Sequence, residues 1–190
     1  MWSPGRSEGQ RCRRSWLLSL TMIMSSLACA GKPEGTPATS SGASRAGTSE
    51  AAPLPEEQIA AGQFLYLPAY SHVLTADNAQ PLNLAVTLYV RNTDPRRSIL
   101  LTRVQYNDSS GKPVRTLLSK PLRIEPLAST EYFIKENDES GGASPNFLVE
   151  WVSGDLVSDP IVETVMIGTA GTQGIAFTGE SRELSRRKPQ

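Results

Sequence analysis

The chain has 190 residues, with 19 basic and 19 acidic side chains and a single histidine. This length predicts one domain with flanking tails, and the balanced charge excludes a nucleic-acid binder that relies on clustered positive charge. Both cysteines, Cys12 and Cys29, lie in the first 30 residues. Because the rest of the chain has no cysteine, it cannot contain a cysteine-based zinc site, a cysteine nucleophile or a disulfide framework.

Residues 1–29 are predicted to be an export signal. Four arginines between Arg6 and Arg14 precede an uncharged, mainly apolar run from Trp16 to Ala28. As a helix rising ~1.5 Å per residue, this run spans roughly 20 Å, less than the ~30 Å hydrocarbon core of a membrane. A short apolar run after positive charge and before small residues is typical of a signal peptide.

The end of this signal permits two processing routes. Ala28-Cys29-Ala30 fits the small-x-small pattern of ordinary signal peptidase, which would leave Gly31 as the mature start. Ser26-Leu27-Ala28-Cys29 resembles a bacterial lipobox, in which the cysteine becomes the lipidated first residue, although lipoboxes usually carry Leu or another aliphatic residue where Ser26 stands. Arg13-Arg14-Ser15-Trp16-Leu17 resembles a twin-arginine motif, so that export route is an alternative to the Sec route.

Residues 30–57 are predicted to be a disordered tether. Ala, Gly, Pro, Ser and Thr dominate this segment, and Leu54 is its only large apolar side chain. Such a composition buries too little apolar surface to offset chain entropy, and a coil of this length spans about 30 Å. A tether has a purpose only if one end is fixed, so we favour a lipid anchor at Cys29 over a released, secreted protein. The expected location is the bacterial cell envelope, facing the periplasm or the exterior.

Residues 58–179 are predicted to form one β domain. The strongest signal runs from Leu82 to Val90, where Leu and Val alternate with less apolar side chains, as in a strand with one buried face. Asn92-Thr93-Asp94-Pro95 ends this strand, because Asn and Asp close local turns and Pro restricts the preceding residue. The other predicted strands are 64–67, 100–106, 114–118, 122–124, 132–135, 147–151, 161–167 and 175–177.

Together these eight or nine strands predict an all-β fold, a single antiparallel β-sandwich of immunoglobulin-like architecture. No segment of ten or more residues shows a helical apolar stripe. Residues 180–190 are predicted to be a disordered basic tail. The predicted core consists of Leu82, Leu84, Val86, Leu88, Val90, Leu100, Val104, Phe147, Val149 and Trp151.

Five sequence blocks resemble, in the same order, those of the bacterial domain-of-unknown-function family 3124. The blocks are Leu67–His72, Val90–Asp94, Pro126–Thr130, Asn146–Trp151 and Met166–Thr169. The resemblance covers about residues 63–177 and implies an exported protein or lipoprotein with a compact β domain. Because this family has no established activity, the resemblance implies no catalytic residue and no cofactor.

His72 is the one side chain that could serve as a general base of the usual kind. Adjacent residues on an extended chain point to opposite sides, so we expect no dyad between Ser71 and His72. A hydrolase would need another serine together with a loop carboxylate from Asp94, Asp108, Glu136 or Asp138.

Two loops suggest ligand chemistry only superficially. Residues 136–142 are acidic and glycine-containing, which makes a calcium site conceivable, but their spacing does not match an EF-hand. Residues 168–174 lack the Gly-Lys-Ser/Thr ending of a phosphate-binding loop and precede a strand, so a hairpin turn beginning at Gly168 is predicted instead. We therefore predict no metal ligand and no cofactor.

The favoured function is a membrane-tethered, non-catalytic module that binds an envelope protein or glycan through its loops or a sheet edge. Tyr89 lies on the opposite face from the aliphatic side chains of its strand, which suggests an adhesive surface. The alternatives are an envelope hydrolase using His72 with loop carboxylates, and a calcium-stabilised structural domain. The candidate binding cluster consists of Tyr70, His72, Asn92, Asp94, Asp108, Glu136, Asp138 and Asn146.

Overall fold

A computed structural model describes residues 47–74, 81–170 and 173–188. These residues form thirteen strands and two 3₁₀ turns, Glu56–Gln58 and Glu139–Gly141. The strands are β1 (Thr48–Glu50), β2 (Ala61–Pro68), β3 (His72–Val73), β4 (Leu82–Asn83), β5 (Ala85–Arg91), β6 (Ile99–Asn107), β7 (Pro113–Thr116), β8 (Leu122–Ile124), β9 (Ser129–Ile134), β10 (Asn146–Ser153), β11 (Ile161–Ala170), β12 (Gln173–Glu180) and β13 (Arg182–Arg187). The export signal, Cys29 and residues 30–46 lie outside the described residues.

The strands form two large antiparallel sheets. One has seven strands in the order β1-β8-β6-β10-β2-β13, with β7 also paired to β6, and the other has four in the order β12-β11-β5-β9. Strands β3 and β4 pair with each other. No helix in the described ranges is long and apolar enough to cross a membrane.

The two sheets are the layers of a sandwich, because one hydrophobic cluster contains inward side chains of both. Phe147 and Trp151 of β10 pack there with Leu88 of β5 and Met166 of β11. The predicted all-β, antiparallel fold is confirmed. Of the ten predicted core residues, nine are buried and Leu82 is half-buried. Each fully buried side chain of this kind contributes about 1.5–3 kcal/mol to folding.

A β-bulge changes the inward face of β6. Glu150 pairs with Arg103, whereas Trp151 pairs with Leu101, so one residue of β6, Thr102, has no partner in this register. The predicted alternation through Leu100 is therefore wrong in the first half of the strand, where Ile99 and Leu101 face the main core instead. Such bulges shift side chains from one face to the other, and Leu100 is buried outside the main cluster.

Two segments predicted to be disordered are strands at the edges of the seven-stranded sheet. Thr48–Glu50, within the predicted tether, pairs with β8, and Arg182–Arg187, within the predicted tail, pairs with β2. The prediction of disorder is wrong for these residues. Its physical basis was low apolar content, but these strands are held by main-chain pairing and ion pairs, as between Arg186 Nη2 and Asp159 Oδ2 at 2.7 Å.

Residues 168–170 of the predicted hairpin turn belong to β11, which continues through Ala170, and residues 171–172 lie outside the described residues. Gly168 lies inside that strand. A Cβ at this position would stand 2.6 Å from Asn83 O and 2.7 Å from Leu84 Cδ2. The glycine is thus required by the close approach of the 83–84 segment rather than by a turn.

Candidate functional site

The predicted binding cluster divides between the two ends of the sandwich. At one end, β2, β6 and β9 finish and β10 begins; at the other end, β5 finishes and β6 begins. The first end carries Tyr70, His72, Asp108, Glu136, Asp138 and Asn146, and the second carries Asn92 and Asp94. The eight residues therefore do not form one site.

Asn92 and Asp94 hold the loops of the second end. The Asn92 amide donates to the carbonyl oxygens of Arg97 at 2.8 Å and Ile124 at 3.2 Å. The buried Asp94 carboxylate accepts from the backbone amides of Arg96 and Arg97, both at 2.9 Å. The bond from the Arg96 amide holds the pKa of Asp94 below its ordinary value. Through these contacts, Asn92 and Asp94 hold the loops at this end in place.

Ser71 and His72 do touch, contrary to the expectation from an extended chain. Ser71 Oγ lies 3.1 Å from His72 Nδ1, because Ser71 occupies a bend before β3 rather than an extended strand. Ser71 is only 6% exposed and donates its hydroxyl proton to Gly142 O at 2.5 Å. Since that proton is already used, the contact with His72 does not activate Ser71 as a nucleophile.

The carboxylates at this end close their own loops. Asp138 forms an ion pair with Arg115 and accepts from the Ser140 amide at 3.1 Å, while Asp108 accepts from the amides of Ser110 and Lys112. Within the described ranges, neither is hydrogen-bonded to His72. No group of three or more His, Cys, Asp or Glu side chains in those ranges could hold a metal ion.

Asn146 belongs to a buried polar link at the same end. Its Oδ1 accepts from Asn107 Nδ2 at 2.9 Å, which joins the first residue of β10 to the last residue of β6. Tyr70 packs its ring against Phe177 at 6.0 Å between centroids, and Glu136 is exposed. Among the described residues, the contacts at this end join loops to one another.

The outer face of the four-stranded sheet carries exposed apolar side chains on both sides of a row of acidic ones, and we call it the apolar face. Three of its side chains are more than half exposed: Phe133 at 60%, Ile167 at 52% and Ile161 at 51%. The cross-strand register places Thr87 and Val165 beside Phe133, and Ala85 and Ala176 beside Ile167. The apolar face consists of Ala85, Thr87, Tyr89, Phe133, Ile161, Val165, Ile167 and Ala176.

Sequence reasoning found only Tyr89 of this surface. The available signal was the nearly continuous apolar run of β11, in which Val162 and Met166 face the core while Ile161, Val165 and Ile167 face outward. An antiparallel strand with one wet face normally alternates apolar and polar residues. Between Ile161 and Ile167, Glu163 is the one polar residue on the outward face of β11, so this part of the strand departs from that alternation.

One cross-strand row of the apolar face is acidic. Glu131, Tyr89, Glu163 and Glu180 lie side by side across the four strands. Arg91 pairs with Glu163 at 3.4 Å and stacks over the Tyr89 ring at 4.8 Å. Arg91 thus pairs with Glu163 of this row, whereas Glu180 forms no ion pair with a described residue.

The outer face of the seven-stranded sheet is charged instead. Arg103, Glu150, Phe64 and Ser185 form a cross-strand row over β6, β10, β2 and β13. With Arg187 they line a depression of about 350 Å³, which we call the charged groove. The two outer faces of the sandwich thus present opposite chemistry.

These features define the class of protein: an antiparallel β-sandwich domain with loop-anchoring polar residues at both ends. A family model described as "Protein of unknown function (DUF3124)" matches residues 62–184. The chain belongs to that family, which confirms the resemblance seen in the five sequence blocks.

The search of curated proteins found no match. A crystal structure titled Thermotoga maritima 1070 is similar at 12% identity with a TM-score of 0.41, over 63% of this chain and 92% of that one. A TM-score this low does not establish a shared fold.

Proposed function

We propose that the protein is a non-catalytic interaction module of the bacterial cell envelope, anchored by a lipid at Cys29, that binds a partner protein through the apolar face. The observation that carries this proposal is the exposure of Phe133, Ile161 and Ile167 on one sheet face. Phe133 and Ile167 lie on one side of the acidic row, and Ile161 lies on the other side. Exposed apolar patches larger than about a few hundred Å² are rare on monomeric proteins and usually mark an interaction site. Covering one such side chain fully contributes about 1.5–3 kcal/mol.

The charge of the acidic row specifies the partner's chemistry. A surface that docks beside Glu180 gains if it carries Lys or Arg, because complementary charges raise association rates and select partners. The strand spacing of ~4.8 Å and rise of ~3.4 Å per residue make the face roughly 20 Å by 24 Å. The occupant is therefore a protein segment that presents apolar side chains next to basic ones.

The envelope location rests on the sequence. The basic start, the short apolar run and the lipobox-like Ser26–Cys29 support export and lipid attachment. The test is the variant Cys29→Ala, which should move the protein from the membrane fraction to the soluble fraction. A variant that stays with the membrane would contradict the lipid anchor and leave the binding proposal standing.

The binding proposal is tested by photo-cross-linking in cells with a reactive amino acid at position 167. We expect one discrete adduct whose cross-linked peptide contains apolar residues beside Lys or Arg. Glu180→Lys should reduce its yield several-fold, whereas Glu125→Lys, an exposed reversal outside the four-stranded sheet, should not. The absence of an adduct, an acidic cross-linked peptide, or an adduct with a second copy of the chain would each overturn the proposed partner.

A further inference from the structure

Among the described residues, the Arg103 guanidinium in the charged groove has no carboxylate partner, and we propose that Arg103 binds the carboxylate of a small ligand there. The groove lies on the opposite outer face from the proposed protein-binding surface, so this inference does not depend on the proposed function. It rests on three observations: the fixed orientation of Arg103, the local charge balance and the groove lining.

Arg103 is held in place by a chain of contacts. Gln105 Oε1 accepts from Arg103 Nε at 3.2 Å and also from Nη2, and Gln105 Nε2 donates to Asn107 Oδ1 at 2.6 Å. The guanidinium carbon lies 5.4 Å from the centroid of the Phe64 ring. Gln105 thus occupies one edge of the guanidinium and leaves the Nη1 edge for a ligand, where two parallel N–H groups match a carboxylate.

The neighbouring charges leave Arg103 unmatched. Glu150 is its cross-strand neighbour, but the Glu150 carboxylate accepts from Arg187 Nη2 at 3.0 Å, and Arg187 also pairs with Glu56. Within the described part of the chain, no carboxylate lies in ion-pair distance of Arg103. Arg187, Glu150 and Glu56 together carry one positive and two negative charges, so these three side chains and Arg103 are neutral as a set. Arg103 nevertheless remains the cation of this set whose guanidinium contacts no carboxylate of a described residue.

The lining indicates the class of ligand. A volume of about 350 Å³ lies at the lower end of small-molecule pockets. Phe64 and the Ser185 hydroxyl, which complete the lining, suit a small body with apolar and hydroxyl or amide groups. An N-acylated amino acid and a hexuronic acid share this carboxylate chemistry, so the two are compared experimentally.

The test is a titration of the full chain, followed by ¹H–¹⁵N NMR, with N-acetylalanine and with glucuronate. The matched neutral probes are N-acetylalanine amide and glucose. We expect saturable shifts at Arg103, Phe64 and Ser185 with a Kd on the order of millimolar, the range for one charged contact on a small ligand. A stronger response to N-acetylalanine indicates a peptide carboxylate, and a stronger response to glucuronate indicates an acidic sugar.

Arg103→Gln should weaken binding at least about tenfold, corresponding to one lost charge-assisted pair. Arg103→Lys should bind with intermediate affinity, because it keeps the charge and loses the fork. Arg123→Gln, on β8 of the same sheet, is the control and should bind as the wild type does. Equal shifts from the neutral probes, wild-type binding by a folded Arg103→Gln variant, or no saturable shift at tens of millimolar would overturn the site.

Discussion

Tyr106 is a fully buried side chain whose hydroxyl makes no hydrogen bond to any described residue. Its ring packs against Phe147 at 5.1 Å, and the Arg115 guanidinium lies 5.3 Å from its centroid. Burial raises the pKa of the phenol above its ordinary value. The ring therefore stabilises the core through its packing, whereas burial of the unpaired hydroxyl oxygen only costs desolvation free energy.

Tyr106→Phe should therefore leave stability unchanged or raise it by up to about 1 kcal/mol, since removing an unpaired buried polar group costs nothing in lost bonds. Urea unfolding followed by tryptophan fluorescence measures the change. A loss above about 2 kcal/mol would show that the hydroxyl has a partner after all.

The loop that faces Tyr106 requires glycine. A Cβ on Gly141 would stand 2.3 Å from Tyr106 Oη and 2.7 Å from Pro145 Cβ, so Gly141→Ala should destabilise the fold by about 1–3 kcal/mol through overpacking. The double variant with Tyr106→Phe should recover part of this loss, because it removes the nearest atom. Gly154→Ala, whose Cβ would meet only Gln58 O at 3.4 Å, is the control.

Asp94 predicts an acid-sensitive loop. Its folded pKa is lowered below 3.8 by the bond from the Arg96 amide and further by the Ser158 amide. Stability from this carboxylate is therefore present above pH 3.8 and is lost as pH falls through the folded value. Asp94→Asn should be less stable than wild type near pH 7 and should approach it in strong acid. A stability difference that stays constant from pH 2 to pH 7 would contradict this assignment.

Among the secondary-structure elements, the sequence predicted the strands that bury one of their two faces. The period-two alternation of β5 located its inner face correctly, because one face is buried and the other is not. It failed at the β6 bulge, since nothing in residues 99–107 marks the extra residue. It also missed β1 and β13, because main-chain pairing at an edge leaves little trace in composition.

The candidate cluster failed for a topological reason that the sequence did contain. Asn92 and Asp94 precede β6 and Asp108 follows it. A nine-residue strand rises ~3.4 Å per residue, so its two ends lie roughly 30 Å apart. Loops on either side of one long strand cannot share a small site. What could not be predicted was which distant loops meet, as when Ser71 bonds to Gly142.

The edge strand β13 should contribute measurably to stability although all its residues are exposed. Truncation after Glu180 removes its pairing with β2 and the contacts of Arg186 with Asp159 and Arg187 with Glu150. We expect a loss of about 1–3 kcal/mol, the effect of several lost hydrogen bonds, and aggregation through the exposed β2 edge. Unfolding and light scattering measure these effects.

The variant Arg186→Ala separates the stability that comes from the main-chain pairing of β13 from the stability that comes from its ion pairs. Arg186 forms two exposed ion pairs, with Asp159 and Glu183, and each such pair contributes about 0–1 kcal/mol, so this variant should lose less than the truncation. An equal loss would mean that the ion pairs, rather than the strand, hold the edge.

For the whole molecule, the consequence of the fold is the contrast between its two outer faces. The inner faces of both sheets form one core, which leaves each outer face free to evolve its own chemistry. One outer face carries the Arg187 ion pairs beside Arg103, which has no carboxylate partner among the described residues, and the other has Phe133, Ile161 and Ile167 beside an acidic row. The two proposed binding surfaces therefore lie on opposite sides of one hydrophobic core.

The apolar face should tolerate polar substitution without loss of folding. Phe133 and Ile167 are more than half exposed, so Phe133→Thr and Ile167→Thr, which keep β propensity, should each change stability by no more than about 0.5 kcal/mol. If the face binds a partner, the double variant should nevertheless abolish cross-linking from position 161.

Val149→Thr, in the core, is the contrast and should lose about 1–3 kcal/mol, because its hydroxyl would be buried. A loss above about 2 kcal/mol in the Phe133 and Ile167 variants would mean that this face already packs within the chain, and undiminished cross-linking would show that the partner binds elsewhere.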